Sequence, residues 1–142
     1  LLDVAKSWGI SVSAVSFQGG YYGFYRPGDD SITLCTPEEK TFFHELSHAA
    51  HHRILRERGE KVIMNGQDWK REIVAELSAA VLCRLVGKSD RDTAGNSFQY
   101  IESYAARANK DTLKGIAAVI ADVDKVLTRI MESAESLTAV AA

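Results

Sequence analysis

The chain has 142 residues, 46% of them hydrophobic and 25% charged, a globular composition sized for one domain with a proper core. It contains no run apolar and long enough to span a membrane, and a formal net charge of −2 gives no electrostatic reason for tight binding to a nucleic-acid backbone. Cys35 and Cys83 stand apart and outside any paired motif, so reduced, core-packed thiols are expected, as suits a cytoplasmic location.

In chain order, a short helix through Trp8 should stop at Gly9, and the alternation from Ile10 to Phe17 reads as a strand. A hairpin should follow, in which Tyr21, Tyr22, Phe24 and Tyr25 lead into the turn Arg26-Pro27-Gly28-Asp29-Asp30 and Ser31 to Cys35 returns as a strand. Those aromatic residues are expected to pack as ordinary sheet residues, with the lining of a substrate cleft as the alternative. Thr36-Pro37-Glu38-Glu39 has the pattern of a capping box with proline in the first turn, so a helix should start there and end at Gly59. Residues 60–67 form a connection, and Asp68 should cap a helix whose apolar residues Ile73, Leu77, Ala80, Val81 and Leu85 recur at helical spacing until Gly87. Two further helices are expected, one from about Thr93 to Asn109 with Phe98, Ile101 and Tyr104 or Ala105 inward. The other runs from about Asp111 to Glu135 with Leu113, Ile116, Val119, Ile120, Val123, Leu127 and Ile130 inward, before a frayed alanine-rich end.

The chemistry concentrates in His44-Glu45-Leu46-Ser47-His48. Residues at i and i+4 share one helical face, so His44 and His48 direct two imidazoles at one ion. Glu45 is rotated by about 100° and misses that ion, but reaches a water bound to it, which is the position of a general base. A zinc site of this kind needs a third protein ligand and one open position. His51 and His52 are poor candidates, because along a straight helix His44 and His52 lie roughly 12 Å apart, and both are expected to support the site from outside or to face solvent. Better candidates are Glu72 and Glu76, one turn apart on the following helix in a stripe that continues into Ala79 and Cys83. Taken alone, Glu72 would be an exposed charge of a first helical turn; beside the histidine motif it becomes a ligand candidate. Glu76 lies among apolar neighbours, where a carboxylate needs a cationic or hydrogen-bonding partner, and a metal-ligating histidine is one.

Thr41 to His52 followed by Arg71-Glu72-Ile73-Val74-Ala75-Glu76-Leu77-Ser78-Ala79-Ala80 resembles the C-terminal metallopeptidase domain of ArdC-type antirestriction proteins. The resemblance implies an α+β, zincin-like fold of minimal gluzincin type, with a small N-terminal β-hairpin or sheet and a helical remainder that includes the histidine helix. It implies that Glu72 is the third zinc ligand, that Glu76 supports a ligand histidine, and that substrate lies between an edge strand and the histidine helix. Whole proteins of this type carry an N-terminal region that binds single-stranded DNA and protect incoming plasmid or phage DNA from restriction. That region is missing from this chain, which also begins Leu1-Leu2-Asp3 without a methionine or a signal peptide. The expectation is therefore one domain over residues 1–142, a fragment of a longer protein from a mobile element. It should bind Zn2+ through His44, His48 and Glu72 and hydrolyse a peptide or protein substrate with Glu45 as base, having no membrane partner and touching DNA only through the missing region. The competing expectation is a metal-stabilised antirestriction or DNA-associated module with little turnover. Tyr100 and Tyr104 are possible oxyanion donors, with core packing the favoured role for both.

Overall fold

The helix that carries the histidines is wrapped on nearly all sides: Phe42, Phe43, Leu46, Ala49, Ala50, Ile54 and Leu55 are buried, and so are Glu45, Ser47, His51 and His52. In the computed structural model, which describes residues 1–17, 19–60, 69–88, 94–107 and 111–141, this helix is α2, Glu39–Glu57. Before it come α1 (Leu2–Ser7), β1 (Ser11–Ala14), β2 (Gly23–Arg26) and β3 (Ser31–Leu34); after it come α3 (Trp69–Leu85), α4 (Ala94–Arg107) and α5 (Thr112–Ala141). The class is α+β, a small three-stranded sheet beside a mostly helical remainder. No helix among the described residues is long and apolar enough to cross a membrane.

The hairpin forms as β2 and β3, with Gly23 opposite Leu34 and Arg26 opposite Ser31. β1, shorter than the alternation from Ile10 to Phe17 suggests, pairs parallel with β3, so the order is β1-β3-β2 and, among the described residues, one edge of β2 is unpaired. Alternation puts Val12, Ile32 and Tyr25 in one row on the core side, where Ile32 is fully buried, and leaves the other row to solvent. The aromatic residues accordingly divide: Tyr25 packs against the core, whereas Tyr22 and Phe17 stack on each other in the open, both more than half exposed.

α2 packs against the sheet on one side and against α3 and α5 on the other, while α4 lies on α3 and α5. Its start differs from the capping-box expectation: Glu38 is the N-cap and gives no side-chain cap, and the Thr36 hydroxyl instead accepts a hydrogen bond from the Glu38 N–H at 3.3 Å. Its end is as expected, since Gly59 takes φ 71° and the Gly59 and Glu60 amides bond back to Arg56 and Leu55. Gly87 closes α3 in the same way, its amide bonding to Arg84 and that of Lys88 to Cys83. Residues 61–67, the Asp68 cap, and the ends placed at Thr93 and Asn109 lie outside the described residues.

Three expectations about buried faces are corrected. Val81 and Leu85 of α3 are exposed, and the buried face runs instead through Ile73, Val74, Ala75, Glu76, Ser78, Ala79, Leu82 and Cys83. Phe98, Leu113 and Ile120 also face outward, because the inward row of α5 is Val119, Val123, Val126 and Ile130 and that of α4 is Ile101 and Ala105. The end of α5 continues as helix to Ala141, where the Ser136 and Thr138 hydroxyls bond to carbonyls one turn back. Its beginning is capped by Asp111, whose carboxylate accepts from the Leu113 and Lys114 amides. Both cysteines are free thiols, Cys83 buried and Cys35 partly so.

Candidate metal centre

One helical turn separates His44 from His48 on α2, and their rings meet edge to face with centroids 4.7 Å apart. The two Nε2 atoms lie 3.1 Å apart. Glu72, in the first turn of α3, reaches across the interface so that Oε2 lies 3.5 Å from His44 Nε2 and Oε1 3.5 Å from His48 Nε2. Among the described residues these three side chains form a group whose ligand atoms all lie within 4.8 Å of one another. Ligands held tetrahedrally at about 2.0–2.1 Å from a zinc-sized ion are separated by about 3.4 Å; the imidazole pair approaches to 3.1 Å, and each imidazole meets a different oxygen of Glu72 at 3.5 Å. The donor set, two imidazoles and a carboxylate, suits a divalent cation.

Glu76, one turn further along α3, makes a different contact. Its Oε2 lies 3.2 Å from His44 Nδ1, on the side of the ring away from His48 and Glu72. An ionised carboxylate only accepts, so the proton sits on Nδ1, and a neutral His44 directs its Nε2 lone pair at the other two side chains. The second oxygen of Glu76 is held by Lys40 Nζ at 2.5 Å. Lys40 precedes His44 by one turn of α2.

Opposing effects set the charges. Burial pushes His44 towards the neutral form, but the hydrogen bonds it donates to Glu72 and Glu76 prevail and raise its pKa to about 9. Burial raises Glu76 as well, and is outweighed by His44, Lys40 and the Ser97 hydroxyl, which bring it down to about 2. Glu72 is opposed by burial but held below the ordinary carboxylate range by His44 and His48. The metal-free centre is thus an imidazolium clamped between two carboxylates.

Glu45 is buried beside β2: a Cβ added to Gly23 would lie 3.3 Å from Glu45 Cγ and only 2.7 Å from Thr41 Cγ2. The absent side chain is what lets the strand approach the helix this closely. His51 and His52 are drawn into the interior without joining the cluster. His52 Nδ1 lies 3.3 Å from the Tyr25 hydroxyl, and His51 Nε2 lies 3.6 Å from an Asp122 oxygen. His52 ties α2 to the sheet, and His51 is buried beside Asp122 of α5 with neither ring nitrogen hydrogen-bonded among the described residues.

Tyr100 of α4 has a place at the rim. Its hydroxyl donates to Glu72 Oε2 at 3.2 Å, its ring stands edge-on to His44 with centroids 5.9 Å apart, and Tyr104 lies on its other side. Burial, and then the neighbouring Tyr104 hydroxyl, push the Tyr100 phenol well above its ordinary value, so it is a hydrogen-bond donor at any ordinary pH. Both Lys40 and Tyr100 owe their positions to contacts between helices. The one cue in the sequence is that Lys40, His44 and His48 fall on the same face.

Fold and cluster together define a small α+β domain whose central helix and its neighbour converge two histidines and a glutamate. A solved structure with this fold is that of the antirestriction protein ArdC from plasmid R388, in a Mn(II)-bound form, which superposes with a TM-score of 0.62 at 21% identity. The likeness covers 94% of this chain and 51% of that one, so the chain spans about half the length of the protein it matches. No protein-family model matches the sequence, and no curated protein does.

Proposed function

We propose that this chain is a zincin-like metallopeptidase domain of an antirestriction-type protein, holding one divalent ion, zinc by preference, through His44 Nε2, His48 Nε2 and Glu72. The observation that carries the reading is the group of ligand atoms from His44, His48 and Glu72, with Glu76 against His44 Nδ1 so that Nε2 faces the other two side chains. The R388 protein, which shares the fold, contains Mn(II), and this supports a divalent ion without selecting zinc.

An ion bound there would supply Lewis acidity and an acidified water. The rest falls to side chains of this domain. Glu45, rotated off the ligand face of α2, accepts the proton of the attacking water and returns it to the leaving amine. The substrate lies along β2. The Tyr22 carbonyl accepts from the Cys35 amide, so ladder alternation turns the N–H and C=O groups of Gly23 and Tyr25 towards the unpaired edge. An extended peptide added there would run alongside the strand whose Gly23 meets Glu45.

Zinc loading followed by elemental analysis, with turnover of an unstructured protein such as casein, tests the reading. One ion per chain is expected in the wild type, retained in Glu45→Gln with most turnover lost, and lost in His44→Ala. Metal uptake without turnover, or Glu45→Gln at the wild-type rate, favours the second reading, an antirestriction or DNA-associated module stabilised by its metal. That alternative draws on the name of the R388 protein.

A further inference from the structure

We infer that Lys40 is a positioning residue of the metal centre: its ammonium holds Glu76 against His44 Nδ1 and thereby aims His44 Nε2 at the ion. The inference rests on the metal-site reading and adds a residue to it. Glu76 is 5% exposed at its side chain; Oε2 meets His44 and Oε1 meets Lys40, with the buried Ser97 hydroxyl also beside the carboxylate. A neutral imidazole N–H does not compensate a buried negative charge. Without Lys40, Oε1 would lose its cation and the carboxylate would turn towards solvent, leaving His44 Nδ1 without its partner and the ring free to rotate. With Lys40 in place, Oε2 stays against Nδ1.

The geometry also explains why this lysine is suited to the task. Lys40 lies four residues before His44 on the same face of α2, its side chain is 23% exposed, and its ammonium turns inward to α3. The ion pair therefore spans the interface whose closure brings Glu72 to the histidines. A purely structural strut between α2 and α3 would be equally short, so the two roles have to be separated by measurement.

Metal affinity is the measurement, by Zn2+ titration against a competing chelator, on the wild type, Lys40→Met, Lys40→Arg, Glu76→Gln and the Lys40→Met/Glu76→Gln double variant. Thermal melts of each metal-free protein control for folding. Lys40→Met should weaken zinc binding by about 10-fold or more, the scale on which partners of metal-bound histidines act, and Lys40→Arg should recover most of it. In the Glu76→Gln background Lys40→Met should cost no more than about a further 2-fold, because a residue that works through Glu76 has nothing left to hold. The inference is overturned if Lys40→Met lowers the melting temperature with affinity unchanged, or if the two losses multiply. If Lys40→Met does not fold, Lys40→Arg in place of rescue decides: wild-type affinity supports the inference, and a loss as large as that of Glu76→Gln overturns it. Failure of the wild type to bind zinc would be a different result, removing the centre itself.

Discussion

Glu72 and Glu76 are the same residue type one turn apart on one helix, and their partners separate their work. Glu72 meets two imidazole Nε2 atoms at 3.5 Å, whereas Glu76 meets one Nδ1 and an ammonium. On the proposed reading, the carboxylate facing two Nε2 atoms shares an ion with them, and the one facing Nδ1 orients that ring. Replacing Glu76 with Gln should therefore weaken zinc binding by roughly 10–100-fold, while Glu72→Gln should weaken it more. A chelator-competition titration that ranks the two variants the other way would make Glu76 the ligand. At this scale the sequence was informative where helix periodicity alone brings groups together, as for His44 with His48. It was silent on Lys40 clasping Glu76 and on Tyr100 clasping Glu72, since each contact depends on how closely one helix approaches another.

Among the elements, β2 and α2 approach closely at Gly23. A methyl group at Gly23 would lie 2.7 Å from Thr41 Cγ2 and 3.3 Å from Glu45 Cγ, so Gly23→Ala must push the strand off the helix or turn Thr41 and Glu45 aside. We expect a loss of about 1–3 kcal/mol in urea unfolding, as for other overpacked interiors, with turnover falling further than stability because Glu45 moves. A variant of wild-type stability and activity would show that the strand and helix do not touch in solution. Glycine also marked the helix ends correctly at Gly59 and Gly87, where a positive φ closes the last turn. Less was legible where neighbours decide. Alternation of side chains assigns faces to β1 but not its partner, and the parallel pairing with β3 depends on β2 passing to the far edge. The N-terminal end of α2 was misplaced because Thr36 spends its hydroxyl on a local turn. Leu113 and Ile120 look like core residues to any hydrophobic pattern, yet α5 is rotated to bury Val119 and Val123.

For the whole molecule, the ionised cluster ties stability to pH in a way that metal reverses. In the metal-free protein His44 has its pKa raised from 6.5 to about 9, so its contribution is fully present below 6.5 and is lost as pH rises through 9. Glu72 and Glu76 are shifted the other way from 4.5, so theirs is present above 4.5 and is lost on acidification. The cluster therefore supports the metal-free fold most between pH 4.5 and 6.5, and the melting temperature should fall from pH 6.5 to 9.5. Metal binding needs His44 Nε2 free, so protons compete with it up to a pH of about 9, and near pH 7 each ion bound should release about one proton from His44. The stabilisation by metal, about 2.7 kcal/mol at a hundredfold excess over Kd, should grow over the same pH range in which the metal-free protein weakens. Chelation should nonetheless leave a cooperative transition, because the core from Phe43 and Leu46 through Ile73 and Leu82 to Val126 and Ile130 is closed without the ion. Melts with zinc and with chelator at pH 6, 7.5 and 9, together with proton release on zinc addition in two buffers of different ionisation enthalpy, provide the check. A metal-induced shift that is the same at all three pH values, with no proton released, would mean that His44 does not hold the proton the ion must displace.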